Sequence, residues 1–238
     1  MKALSSNLLF CLAFLISGCA QTAATQTLEP AEISGTANTR NIAIVPFHND
    51  YADLTGKIEA SIAKQELDGE PWFTLSDRSS VEKVISQKKL KSGDEVDAST
   101  AVKLGKVLRA QAVISGTLNT PELQDNQYDT TRTKCTGKGK ERRCWEVKVS
   151  CKKRTIALSA DIRMVDVVTA ELLYADRVSR VNAWHVCADD SHHTLPSKKS
   201  AVQSFADDIA RDFVNKLTPH YRRVDPTVSD KPGRDGTH

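Results

Sequence analysis

Apolar residues in the first half of the chain form short continuous blocks that alternate with stripes at helical spacing. A short apolar block ended by proline is typical of a buried strand, and apolar residues three or four apart indicate a helix with one buried face. Helices are expected to begin at side chains that can cap them. The predicted elements are a strand at 42–47, a helix at 53–67 closed by Asp68 and Gly69, a strand at 72–75, helices capped by Asp77 and Ser99, and a strand at 112–118.

The second half of the chain changes to strict alternation. Every second residue from Ile156 to Met164 is apolar, which predicts a strand with one core face. A turn near Val168 and Thr169 leads into a return strand from Leu172. Residues 198–217 carry an apolar stripe opposite an acidic one and predict a C-terminal amphipathic helix. The fold class is therefore α/β (α+β), with a mixed sheet flanked by helices.

The N-terminus has the pattern of a bacterial secretory signal. One positive charge at Lys2 precedes an apolar run over 8–16, which is too short to span a bilayer permanently. Ser17 and Gly18 then precede Cys19, a layout that resembles the lipobox of bacterial lipoproteins. We expect a signal peptide at 1–18 and a lipid anchor on Cys19, which places the protein on the outer membrane facing the periplasm. The alternative is an ordinary cleaved signal followed by an incidental cysteine.

Composition describes a globular chain, with 39% hydrophobic and 26% charged residues. Residues 19–40 are polar without periodicity and predict a flexible tether to the membrane. One domain is expected over 41–221, and the polar residues 222–238 predict a disordered tail.

Basic residues concentrate in one segment. Residues 132–154 contain ten basic and two acidic side chains, a net charge of +8. This charge favours contact with lipopolysaccharide, with an anionic glycan such as peptidoglycan, or with an acidic envelope protein; a solvated loop is the alternative. Nucleic acid is not expected, since the periplasm lacks it and no aromatic series interleaves the charges. The candidate binding residues are Lys134, Lys138, Lys140, Arg142, Arg143, Lys152, Lys153 and Arg154.

Four cysteines remain in the mature chain besides Cys19, so an oxidising compartment allows three disulfide connectivities. Folding the 156–187 hairpin about its turn brings Cys151 opposite Cys187. Cys135 and Cys144 flank a basic loop and close a second hairpin, made by 127–135 and 144–151, in an insertion over 127–154. Cys144 and Cys151 lie seven apart and face opposite sides of a strand, so they cannot pair. We predict the pairs 135–144 and 151–187, with free buried thiols as the alternative.

No residue pattern indicates catalysis. The chain lacks a Gly-x-Ser-x-Gly elbow, a His-Glu-x-x-His pair and a phosphate-binding glycine loop, so we expect no enzyme and no cofactor. His185, Cys187, His192 and His193 could be interpreted as a metal cluster. No second Cys/His pair has ligand spacing, and a solvated loop without metal is the preferred interpretation.

Four blocks of sequence together resemble the family of the curli assembly and transport lipoprotein. They are IAIVPF (42–47), LSDRSSVEKVISQKKL (75–90), AVKLGKVLRAQAVISGTL (101–118) and IRMVDVVTAELLYADRVSR (162–180). The α/β core is similar to that of lipoproteins that activate peptidoglycan synthases and to the N-terminal domain type of the Tol-system periplasmic protein. Thr169-Ala170 departs from the Thr-Gly turn common in the family, and the basic cysteine insertion matches a subgroup of curli-like lipoproteins.

The resemblance implies a non-enzymatic scaffold in envelope assembly or secretion, with an envelope protein partner or self-oligomer. The alternatives are an activator of a peptidoglycan synthase and a subunit of a curli-like secretion channel. A membrane-spanning hairpin needs strands with an apolar lipid face. Residues 127–135 carry charges or hydroxyls on both faces, which favours a domain without its own pore.

Overall fold

The structure is a computed structural model that describes residues 25–36, 38–88, 96–190 and 194–224. The predicted signal peptide, Cys19, His192, His193 and residues 225–238 lie outside the described residues. The elements are β1 (Thr25–Glu29), β2 (Asn41–Ile44), α1 (Leu54–Ile62), β3 (Glu66–Leu67), β4 (Glu70–Pro71), β5 (Thr74–Leu75), α2 (Arg78–Gln87), α3 (Ala98–Leu108), β6 (Ala112–Leu118), β7 (Glu122–Thr136), β8 (Arg143–Asp166), β9 (Leu172–Cys187), α4 (Lys198–Leu217) and β10 (His220–Val224).

Six strands form the main sheet in the order β5-β2-β6-β8-β7, and β9 also pairs with β8. β5, β2 and β6 run parallel, whereas β8 is antiparallel to β6, β7 and β9. The sheet is therefore mixed, as the sequence predicts.

Helices cover both faces of the parallel part of the sheet. Ile42 and Ile44 belong to a core cluster with apolar residues of α1 and α4, whereas Ala43 and Val45 pack with residues of α2 and α3. A strand covered on both faces needs apolar residues at every position, which explains the continuous block in the sequence. The predicted apolar stripe of α4 is confirmed, with Phe205, Ile209, Phe213 and others buried.

β8 is one strand of 24 residues that joins two segments predicted as separate strands. Its N-terminal half pairs with β7 and its C-terminal half with β6, while β9 pairs along 151–165. The charged run at 152–154 does not interrupt the strand, because Arg154 is held by Asp125 of β7 and by the carbonyl oxygen of Pro196.

The predicted flexible tether is wrong for the part that lies next to α4. Ile33 and Thr36 are buried, and the Thr36 hydroxyl donates to the carbonyl oxygens of Ile33 at 2.7 Å and Leu217 at 3.0 Å. The last carbonyls of a helix have no partner within the helix, and this segment supplies donors for them. The compact unit accordingly spans Glu29–His220 rather than beginning at 41.

A second unit comprises the two ends of the chain, and its described residues form a two-stranded sheet of β1 and β10. Residues 222–224 therefore belong to a strand, although the sequence assigns them to a disordered tail. Backbone hydrogen bonds between strands do not depend on side-chain polarity, so a polar segment can form a strand that the apolar pattern of the sequence does not predict.

Local details correct two further predictions. Asp97, rather than Ser99, caps α3, and its carboxylate accepts from the backbone N–H of Thr100 at 2.7 Å. Asp68 and Gly69 both have positive φ and form the two-residue turn between β3 and β4, instead of ending a helix that continues to 67.

Candidate functional site

A hairpin of β7 and β8 extends beyond the rest of the sheet. β9 ends at Cys187, opposite Cys151, but β7 and β8 continue to pair up to Thr136 and Arg143. The eight further pairs give the hairpin a free length of about 27 Å. The predicted hairpin extension is therefore present, and it continues the central sheet without a break.

Two disulfides brace this hairpin, and they join the two pairs predicted from the sequence. Cys135–Cys144 links the strands directly below the turn, and Cys151–Cys187 links β8 to the end of β9. Both pairs are in direct register across neighbouring antiparallel strands, so within each pair the two side chains lie on the same face of the sheet.

The two faces of the hairpin differ in character. One face carries Val147, Val149, Cys151 and Cys187, and the last three of these form a small buried cluster. Residues in register across antiparallel strands share a face, so Lys134, which pairs with Trp145, and Arg132, which pairs with Val147, lie on this side. The other face is polar, with Asp129, Glu146, Lys148 and Lys152 among its exposed residues.

Two of the predicted binding cations, Arg154 and Lys134, are paired with carboxylates. Arg154 donates to both carboxylate oxygens of Asp125, at 2.8 and 2.7 Å, and these hydrogen bonds hold the pKa of Asp125 below its usual range. Lys134 lies 3.9 Å from Asp189. Lys152 and Lys153 pair with Gln127 and Asn126, so adjacent lysines point to opposite faces.

Arg132 makes the strongest ionic contacts on the apolar face. Its Nη1 donates to Asp189 at 2.8 Å and to Asp190 at 3.0 Å. The segment after β9 thus folds back over the hairpin, where the backbone N–H of Ala188 also donates to Ser150. The sequence predicts a solvated loop for the segment that contains Cys187 and His192, and it does not indicate these contacts. The predicted Cys151–Cys187 bridge could have indicated these contacts, because it places Asp189 and Asp190 beside the hairpin.

Four of the predicted cations remain grouped at the turn: Lys138, Lys140, Arg142 and Arg143. We call this group the tip cluster. All four side chains are exposed, and within the described residues none of them forms an ion pair. Glu141 is the one acidic residue among 137–143, so the segment has a net charge of +3. The predicted patch of eight residues is therefore divided between this group at the turn and four residues further down the hairpin.

Trp145 was not singled out as a functional residue, yet it lies two residues from the tip cluster with 47% of its surface exposed. Tyr128, further down the same face, lies with its hydroxyl 3.1 Å from Nδ1 of His185. The alternating pattern predicts that Trp145 lies on the same face of the strand as Val147 and Val149, but it does not show whether another segment of the chain covers that face.

Metal binding and membrane crossing by a helix concern other parts of the chain. In the ranges 25–36, 38–88, 96–190 and 194–224, no three His, Cys, Asp or Glu residues are grouped as metal ligands. His192 and His193, which belong to the metal alternative, lie outside these ranges. In the part of the chain that the structure describes, none of the helices combines the length and apolar character needed to cross a bilayer.

Comparison with known proteins gives one extensive match. The profile of the family described as curli production assembly/transport component CsgG matches residues 24–189. Among curated proteins, no sequence matches the chain.

Solved structures give weaker likenesses. The C-terminal domain of LpoB from Salmonella enterica is 14% identical with a TM-score of 0.34, covering 60% of this chain and 82% of its own. Lipoprotein GNA1162 from Neisseria meningitidis is 15% identical with a TM-score of 0.36, covering 74% and 99%. A PelC dodecamer from Paraburkholderia phytofirmans is 13% identical with a TM-score of 0.30, covering 82% and 98%. At TM-scores below 0.5, none of these likenesses supports an argument.

Proposed function

Because the chain belongs to the curli production assembly/transport family, we propose that it is a lipid-anchored outer-membrane protein acting in envelope assembly or secretion. In this proposal it acts by binding rather than by catalysis, and the tip cluster binds phosphate groups of lipopolysaccharide molecules on the periplasmic side of the membrane. The observation that carries the proposal is the grouping of four exposed cations, without ion pairs among the described residues, at the end of a braced hairpin.

The chemistry of the tip supports a phosphorylated surface as the partner. Arginine can bind phosphate oxygens with two parallel hydrogen bonds, and lysine contributes a compact point charge. The exposed indole of Trp145 suits the boundary between headgroups and water, where one end of the ring is apolar and the other can donate a hydrogen bond.

Binding can be tested with two variants that change the charge equally. Lys138→Gln/Lys140→Gln/Arg143→Gln removes charge from the tip, and Lys148→Gln/Lys152→Gln/Lys153→Gln removes it from the lower hairpin. Both are made in a protein that begins at Ala20, so that neither a lipid anchor nor an uncleaved signal peptide can mediate binding. In co-sedimentation with vesicles containing lipopolysaccharide, we expect the tip variant to lose binding and the control to retain most of it.

Two outcomes would contradict this assignment. Equal losses in both variants would indicate general attraction to charge, and binding to isolated peptidoglycan instead of the vesicles would indicate glycan carboxylates. The contacts are electrostatic, so binding should also weaken as salt concentration rises.

The lipid anchor is proposed from residues 15–19 and needs its own experiment. Cys19→Ser should leave the precursor unprocessed or release the protein from the membrane fraction, since the acceptor thiol is lost. Unchanged mass together with unchanged membrane association would refute the anchor.

We further infer that the hairpin does not cross the membrane to form a channel. Its more apolar face carries Arg132 and Lys134, and it is partly covered by the chain around Asp189. A charged side chain facing lipid near the midplane costs roughly 2–4 kcal/mol. Purified protein in planar bilayers should show no stable conductance steps; steps that disappear on deletion of 127–151 would favour the channel alternative.

A further inference from the structure

The two disulfides of the hairpin lie in opposite environments. Cys135 and Cys144 are both exposed to solvent at the tip. Cys151 is 1% exposed and Cys187 is 7% exposed, and both lie in the small cluster with Val149. A thiolate must reach a sulfur atom to attack a disulfide, so access alone favours reaction at the tip.

Charge also distinguishes the tip disulfide. The Arg142 guanidinium lies with Nη2 3.6 Å from Sγ of Cys135, and the chain neighbours of Arg142 are Glu141 and Arg143. Within the described residues, no basic side chain makes a comparable contact with Sγ of Cys144. A neighbouring cation stabilises a thiolate, so Cys135 is the better leaving group of the pair.

We propose that Cys135–Cys144 is a thiol–disulfide exchange site whose co-reactant is a dithiol, and that the incoming thiolate attacks Cys144. The attacking sulfur forms a bond to Sγ of Cys144 while the Cys135–Cys144 bond breaks, and Cys135 leaves as a thiolate beside Arg142. The second thiol of the dithiol, as its thiolate, then attacks the mixed disulfide and releases Cys144. Two electrons pass from the dithiol to the protein, the dithiol becomes a disulfide, and the two protons that the dithiol loses are taken up by the thiolates of Cys135 and Cys144.

Exchange at this site alters the tip without detaching the hairpin. Cys135–Cys144 closes the loop that contains all four cations of the tip cluster. Cys151–Cys187 remains closed and keeps β8 joined to β9. Exchange therefore opens the loop that carries the tip cluster, while Cys151–Cys187 keeps the lower part of the hairpin joined to the sheet.

The order of reduction provides the first test. Folded protein is incubated with dithiothreitol, quenched with acid, alkylated and mapped by mass spectrometry. Because attack requires access, we expect Cys135 and Cys144 to be labelled at least about tenfold faster than Cys151 and Cys187. Equal rates, or faster labelling of the buried pair, would overturn the proposal.

The direction of attack provides the second test. With reduced glutathione as a monothiol, the mixed disulfide should form on Cys144 and the free thiol should appear at Cys135; adducts mainly on Cys135 would refute the assignment. Arg142→Gln should slow exchange about threefold, because the leaving thiolate loses its cation. Arg143→Gln removes the same charge but not the contact, and it should slow exchange less. Equal slowing in both variants would show that net charge, rather than the contact with Cys135, sets the rate.

Discussion

Gly105 of α3 lies directly against Val167, which follows the end of β8, and a β-carbon on Gly105 would overlap the Val167 side chain. Val113 of β6 closes the same space at 3.0 Å from that position. The absence of a side chain at 105 therefore sets how closely α3 approaches the sheet.

We expect Gly105→Ala to lower the free energy of unfolding by about 1–3 kcal/mol, despite the higher helix propensity of alanine, because the helix must move outward. Val167→Ala creates room at the same place and should cost about 2 kcal/mol by itself. In the double variant the two changes should compensate, with a favourable coupling of about 1 kcal/mol measured by urea unfolding. Simple additivity would show that the contact does not limit packing.

The turn between β8 and β9 holds Ala170 with a φ of 61°, a conformation that favours glycine. Its backbone N–H donates to the carbonyl oxygen of Asp166 at 3.0 Å, so the turn is fixed by hydrogen bonding. Ala170→Gly should raise the free energy of unfolding by about 1 kcal/mol, because it removes the left-handed penalty. Ala175→Gly, in the regular part of β9, should lower it by about 0.5–1 kcal/mol. Destabilisation by both changes would contradict this prediction.

The disulfides should stabilise the fold to different extents. Cys151–Cys187 spans 36 residues and Cys135–Cys144 spans nine, and a larger closed loop restricts the unfolded chain more. We expect a loss of about 4 kcal/mol for Cys151→Ala/Cys187→Ala and about 3 kcal/mol for Cys135→Ala/Cys144→Ala. Thermal unfolding of the two variants checks the order, and a larger loss for the tip pair would contradict it.

Asp161 connects stability to pH. Arg177 donates to its two carboxylate oxygens at 2.7 and 3.0 Å and holds the pKa of Asp161 below its usual range. Asp161 therefore binds a proton more readily in the unfolded state than in the folded state. The stabilisation that the contact with Arg177 provides is complete above the unfolded pKa, about 4, and is lost as pH falls through the lower folded pKa.

Asp161→Asn should therefore reduce stability more at about pH 6 than at about pH 3, as measured by the urea midpoint. Asp129→Asn is a suitable control, since Asp129 forms no ion pair within the described part of the chain. A difference between wild type and Asp161→Asn that stays constant with pH would refute the role of this carboxylate.

Local patterns were enough to predict the helix at 198–217, the β8–β9 hairpin and both disulfide pairs. Alternation fixes which residues share a face, and a cysteine at each end of a hairpin then has few partners. The capping of α4 by Thr36 could not be predicted in this way, because the two residues involved are 181 positions apart. The same holds for Arg132, whose contacts with Asp189 and Asp190 join residues 57 and 58 positions apart.

β8 runs without interruption from the tip of the hairpin to the buried centre of the sheet, a length of up to about 80 Å. Its inner half includes Ile156, Leu158 and Ile162, which pack in the same cluster as α4. An extended strand resists stretching, and β7 and β9 support it on both edges where it enters the body of the protein. A pull on the tip is consequently transmitted along one continuous strand to the buried residues that pack with α4.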